Sequence, residues 1–152
     1  MMPDYSLADE SATLNFGTRL SSVLHAGLIV YLHGELGAGK TTLVRGILRG
    51  LGYTDKVKSP TYTLVEVYNT VNFPLYHFDL YRFKNPMEWE ESGFSEHCNA
   101  HSLCLIEWPE QALPLLPPPD LRIQLTEQRE GRLLRLTGES RQGKDLSRLL
   151  AC

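Results

Sequence analysis

Gly34-Glu35-Leu36-Gly37-Ala38-Gly39-Lys40-Thr41 follows directly on the apolar run Leu28-Ile29-Val30-Tyr31-Leu32. The run is continuous and rich in β formers, the pattern of a strand buried on both faces of a parallel sheet. Gly34, Gly39, Lys40 and Thr41 satisfy G-x-x-x-x-G-K-[ST], and 41–51 continues as an amphipathic helix ending at Gly50 and Gly52. Strand, glycine-rich loop and helix in this order form the context in which the spacing makes a phosphate cradle. The glycines let the backbone wrap closely and turn successive N–H groups inward at a helix N-terminus. Lys40 would bridge β- and γ-phosphate oxygens, the Thr41 hydroxyl would ligate Mg2+, and Thr42 would add a hydroxyl or N–H to the α-phosphate. The four fixed positions arise by chance in about one chain of this length in two hundred.

Outward from the loop, Asp9 is placed to cap a helix carrying Ala12, Phe16, Leu20, Val23 and Leu24 at helical spacing, with Gly27 in the place of a C-terminal glycine. On the other side, 62–68 and 75–79 are β-prone runs joined by a short loop, and Pro86 opens a short helix that stops near Gly93. Leu103-Cys104-Leu105-Ile106-Glu107 is a further buried strand, and the proline-rich stretch 113–119 is a connector. Residues 121–126 and 132–137 alternate apolar and polar around Gly131, as in a half-exposed hairpin, and the last dozen residues form a short helix or fray. The whole reads as one α/β domain over 1–152, a three-layer P-loop NTPase-like fold with a mainly parallel central sheet and antiparallel additions.

Composition agrees. With 152 residues, 42% apolar and 22% charged, the chain can bury a core without metals or disulfides. The net charge of -3 leaves no global field toward nucleic acid or anionic lipid. Basic residues are commoner after Leu121, but interleaved acids make that region read as a solvated mixed surface. Cys98, Cys104 and Cys152 form no close pair, which suits a reducing compartment. The first residues lack the pattern of a signal peptide, so the expected location is cytoplasmic.

Phosphoryl transfer needs a second metal-holding residue and something to orient water. Two acids end buried-strand candidates: Asp79, which shares a strand face with His77, and Glu107. Glu107 is assigned to the magnesium shell and Asp79 to water or the outer metal shell, with the reverse assignment also open. Ser59, Thr61 or Thr63 would sense the γ-phosphate, unless Lys58 to Thr63 is a plain proline turn entering a strand. Tyr81-Arg82 either places a cation near the phosphates or leaves Arg82 to pair with a surface acid.

Four segments in this order carry a resemblance: the loop 34–42, Ser59-Pro60-Thr61-Tyr62-Thr63-Leu64-Val65, His77-Phe78-Asp79-Leu80-Tyr81-Arg82 and Ile106-Glu107-Trp108-Pro109. Together they resemble the TsaE (YjeE) family of bacterial ATPases in tRNA threonylcarbamoyladenosine synthesis. The resemblance implies a cytoplasmic enzyme that hydrolyses ATP with Mg2+, weakly alone. It implies action with TsaB and TsaD, which place the threonylcarbamoyl group on adenosine 37 of tRNA, and with TsaC upstream making the activated donor. tRNA would be reached only through the complex. Carried onto this chain, Leu36, Gly37, Ala38, Gly39, Lys40 and Thr41 hold phosphates, Thr41 and Glu107 hold magnesium, and Asp79 serves hydrolysis. Trp108 is either a contact residue or core. Preference for ATP rests on the resemblance, since the loop does not read the base. The residues alone also admit a small-molecule kinase built on the same loop, or a nucleotide switch in which hydrolysis is irrelevant.

Overall fold

The computed structural model describes residues 3–35, 37–58 and 64–151. Its elements in chain order are β1 (Asp4–Leu7), α1 (Glu10–Ser21), β2 (Ile29–His33), α2 (Lys40–Gly50), β3 (Val65–Asn69), β4 (Pro74–Asp79), α3 (Met87–Ser92), β5 (Leu103–Glu107), β6 (Leu121–Gln128), β7 (Gly131–Gly138) and α4 (Arg141–Ala151). Short 3-10 turns lie at Phe94–His97 and Pro109–Gln111. The strands make one seven-stranded sheet in the order β1-β7-β6-β2-β5-β4-β3. β6, β2, β5 and β4 run parallel, while β3, β7 and β1 are added antiparallel. The predicted α/β architecture is therefore present, with its parallel centre and antiparallel edges.

Alternation along the strands makes the layers. Val30 and Leu32 of β2 and Leu103 and Leu105 of β5 join a cluster with Phe16 and Leu20 of α1, Leu43 and Ile47 of α2, and Leu146 and Leu150 of α4. Ile29, Tyr31, Cys104 and Ile106 face the opposite way, onto Phe78 and the fully buried Trp89 of α3. By the same two-residue period, His77, Asp79 and Glu107 fall on the face that carries α2. That placement brings the acids toward the glycine-rich loop between β2 and α2.

α1 begins as expected, with Asp9 Oδ1 accepting from the Ala12 N–H at 2.8 Å. Its end corrects the sequence reading. The helix stops at Ser21, and Gly27 instead turns the chain into β2, its N–H donating to Ser102 O at 2.8 Å. Val23 and Leu24 still pack on the core after the helix ends, so the apolar period outlasts the helix. β1 carries no local strand signal: four residues of mixed polarity pair with β7, whose partner positions lie over a hundred residues away.

α1 and α2 cross where neither carries a side chain. A Cβ on Gly46 would stand 2.2 Å from Leu14 O, and one on Gly17 would stand 2.5 Å from Leu43 O. Both obstacles are backbone, which cannot step aside cheaply. Gly46→Ala is expected to cost roughly 1–3 kcal/mol, read as a lower urea midpoint at unchanged slope. A midpoint equal to that of the parent chain would show that the helices do not meet there.

Candidate active site

Ligands of open α/β sheets bind beyond the carboxyl ends of parallel strands. Three of those ends are His33 of β2, Asp79 of β4 and Glu107 of β5, and Asp79 and Glu107 stand side by side in register. A cleft of about 520 Å³ opens over them, lined by Gly37, Gly39, Lys40, Thr41, Thr42, Asp79 and Glu107. Ala8, Asp9, Glu10 and Thr13, around the start of α1, also line it, with Gly131 and Arg132.

The loop's shape depends on glycine. Gly37 and Gly39 hold φ of 83° and 101°, which L side chains rarely adopt. Gly39 stands at the N-cap of α2, and no side chain caps that helix. The first-turn amides of a helix have no intrahelical partner, and Lys40, Thr41 and Thr42 present that turn to the cleft. Amides and helix dipole together favour an anion at this point.

Beside the loop runs a chain of buried charge. Lys40 is only 6% exposed, with Nζ donating to Gly34 O at 2.5 Å and lying 3.3 Å from Glu107 Oε1. The same ammonium sits 4.6 Å from the Trp108 ring centroid. Glu107 Oε2 in turn is hydrogen-bonded to His77 Nε2, and His77 is 1% exposed. A carboxylate only accepts, so Nε2 carries the proton and the imidazole fixes the carboxylate's rotation.

The two acids are tuned in opposite directions. Burial pushes Glu107 upward, but the His77 hydrogen bond and the charges of His77 and Lys40 outweigh it and hold the carboxyl below its ordinary value. Burial also acts on Asp79, and there it wins: the Tyr81 N–H, bonded to Oδ1 at 3.0 Å, only partly offsets it, and the Glu107 charge adds to the rise. Neighbouring carboxyls of unequal basicity are the arrangement in which one binds a cation and the other accepts a proton.

The family model described as "Threonylcarbamoyl adenosine biosynthesis protein TsaE" matches residues 7–135. The chain belongs to the TsaE family. A tRNA threonylcarbamoyladenosine biosynthesis protein TsaE of Haemophilus influenzae is 42% identical to it over 145 residues, 92% of each chain. A protein of the same name from Rickettsia typhi is 42% identical over 122 residues, covering 80% of this chain and 84% of the relative. Among solved structures, that of Bacillus subtilis YdiB superposes with a TM-score of 0.85 at 27% identity, covering 99% of this chain and 95% of that one.

Within this TsaE-family chain the residues expected from sequence converge: Gly37, Ala38, Gly39, Lys40, Thr41, Thr42, Asp79 and Glu107 all lie on or beside the cleft. Leu36, Ser59, Thr61 and Thr63 lie outside the described residues. Tyr81 supplies the amide to Asp79, and its ring lies tilted against that of Trp108 at 5.0 Å between centroids; Trp108 adopts φ of 57°. The strand period puts His77 on one face with Asp79, while its bonding partner is Glu107, on the adjacent strand. A second correction concerns the region after Leu121. Arg132 is not a solvated surface residue: its Nε donates to Ala38 O at 2.9 Å and its Nη2 to Gly37 O at 3.1 Å. No local signal marks it, because only the sheet order brings β7 to the loop.

Proposed function

We propose that this TsaE-family protein is a magnesium-dependent ATP hydrolase of tRNA threonylcarbamoyladenosine biosynthesis. The observation that carries the reading is the buried Lys40–Glu107 pair beside the uncapped start of α2, with the more basic Asp79 next to it. The residues fit a nucleotide's phosphates and a magnesium ion. Amides and an ammonium suit a polyphosphate, while a hydroxyl and a carboxylate kept ionised suit a hard cation that prefers oxygen. Thr41 and Glu107 would hold magnesium, which when bound neutralises charge on phosphoryl oxygens. Lys40 grips the phosphates, and His77 keeps Glu107 ionised and aimed. Asp79 accepts a hydrogen bond from, and then a proton of, the attacking water, since it is the better base of the two acids. Gly37 to Thr42 form the cradle, to which Leu36 would belong by its place in the motif, and residues 1–152 act as one ATPase domain.

The role in forming the threonylcarbamoyl group on adenosine 37 rests on the family. Its partners in that role are TsaB and TsaD, with TsaC upstream. The net charge of -3 supports contact with tRNA through those partners rather than directly. No described helix is long and apolar enough to cross a membrane, and the pathway fits the cytoplasm. ATP hydrolysis by this protein is expected to rise severalfold when TsaB and TsaD are added in magnesium buffer. A rate unchanged by the pair counts against the pathway, and a rate driven by a small metabolite favours a kinase.

A further inference from the structure

The hairpin β6–β7 and strand β1 lie outside the parallel core, and the contacts of Arg132 suggest what they are for. Arg132 stands second in β7, paired with Leu7 of β1 and Glu127 of β6. Its guanidinium makes three bonds to carbonyl oxygens: two go to Gly37 and Ala38 of the loop, and Nη1 donates to Gly131 O at 2.9 Å. Glu127 Oε1, 3.5 Å from Nη2, steadies the outer edge. The strand is seated closely enough to hold this aim. A Cβ at Gly131 would come within 2.2 Å of Leu7 O, so the β1 backbone lies directly on it.

A trans peptide points its C=O and N–H in opposite directions. Drawing the Gly37 and Ala38 carbonyls toward Arg132 therefore turns the Ala38 and Gly39 amides the other way. The Ala38 N–H closes on Glu35 O at 3.1 Å, and the Gly39 N–H belongs to the peptide that enters α2. Glycines flank both peptides, so without a clamp these planes have other orientations open to them. A cation on the carbonyl also polarises the peptide and strengthens its N–H as a donor.

We propose that Arg132 is a positioning residue that presets the phosphate loop by forking two carbonyls, so that the loop is shaped before nucleotide arrives. This rests on the nucleotide reading for its purpose, though the clamp exists in the free protein. Two rival roles exist, a cation that touches the phosphates and a plain surface pair with Glu127. Lysine at 132 keeps the charge but lacks the fork.

The test has two readings on the same proteins. In amide NMR of the free chain, Gly37, Ala38 and Gly39 should each give one sharp signal, and Arg132→Lys should broaden or split them while distant signals stay fixed. In calorimetry with ATP and magnesium, Arg132→Lys and Arg132→Ala should both bind at least tenfold more weakly. Glu127→Gln should stay within twofold of the parent. Thermal unfolding of each variant guards against loss of fold. Arg132→Lys binding like the parent with unchanged loop signals overturns the proposal, as does weakening confined to Arg132→Ala, which would mean charge alone matters. If the parent chain binds no ATP, the nucleotide reading falls, and the amide signals still decide whether Arg132 holds the loop.

Discussion

Lys40→Ala is expected to reduce ATP hydrolysis by about 10²–10³-fold, the usual loss when a preorganised charge is removed from a water-excluded site. The reason lies in where the ammonium is. At 6% exposure, and held between Gly34 O and Glu107, it has little bulk water to screen it, so its attraction for developing negative charge is strong. Arginine should not substitute well, because a planar fork does not fit a slot shaped around a point charge and floored by Trp108. The variant should still fold. Glu107 keeps His77, so no buried carboxylate is left alone. Steady-state hydrolysis with calorimetric binding measures the effect, and a variant retaining more than a tenth of the parent rate would refute the assigned role.

Asp79→Asn should separate binding from turnover and at the same time stabilise the fold. Asparagine still accepts the Tyr81 N–H but cannot take a proton from water, so nucleotide binds while hydrolysis falls by roughly 10²–10⁴-fold. The stability effect follows from the raised carboxyl. Ionising Asp79 disfavours the folded state, and that penalty grows as pH climbs from the unfolded value, about 3.9, through the higher folded one. Above that window the variant should melt at a higher temperature than the parent, and below it the two should converge. Glu107 works the other way. Its carboxyl is held low, so its contribution is complete above the unfolded value and is lost as pH falls through the folded one. The acid limb of the unfolding curve should therefore persist in Asp79→Asn. Melting curves from pH 3 to 8 without metal or nucleotide decide the matter: a variant less stable than the parent at neutral pH would contradict the burial argument. If pathway output with Asp79→Asn survived repeated turnovers, hydrolysis would be irrelevant and the nucleotide switch would be the better reading.

Much of the site was legible because its parts announce themselves locally. The loop glycines, Lys40 and Thr41 sit at fixed spacing between a strand and a helix, and Asp79 and Glu107 each end an apolar run. Strand residues alternate faces, so the pairing of His77 with Asp79 on one face could be counted off. What could not be counted was which strand lies next to which. β5 inserts between β2 and β4, and that adjacency turns His77 toward Glu107 and sets the two acids in register. Likewise the end of α1 was misplaced, because apolar packing continued past the last helical hydrogen bond.

The sequence by itself determined the chemistry on offer: an anion cradle at a helix start, a cation within it and two acids at strand ends. These follow from short-range rules of backbone freedom and side-chain period. The tertiary structure decided how that chemistry is tuned. It set which carboxyl is held low and which high, and it brought an arginine from the far hairpin onto the loop's carbonyls. Burial and charge proximity depend on through-space distance, and the chain order of residues does not encode that distance until the sheet is assembled.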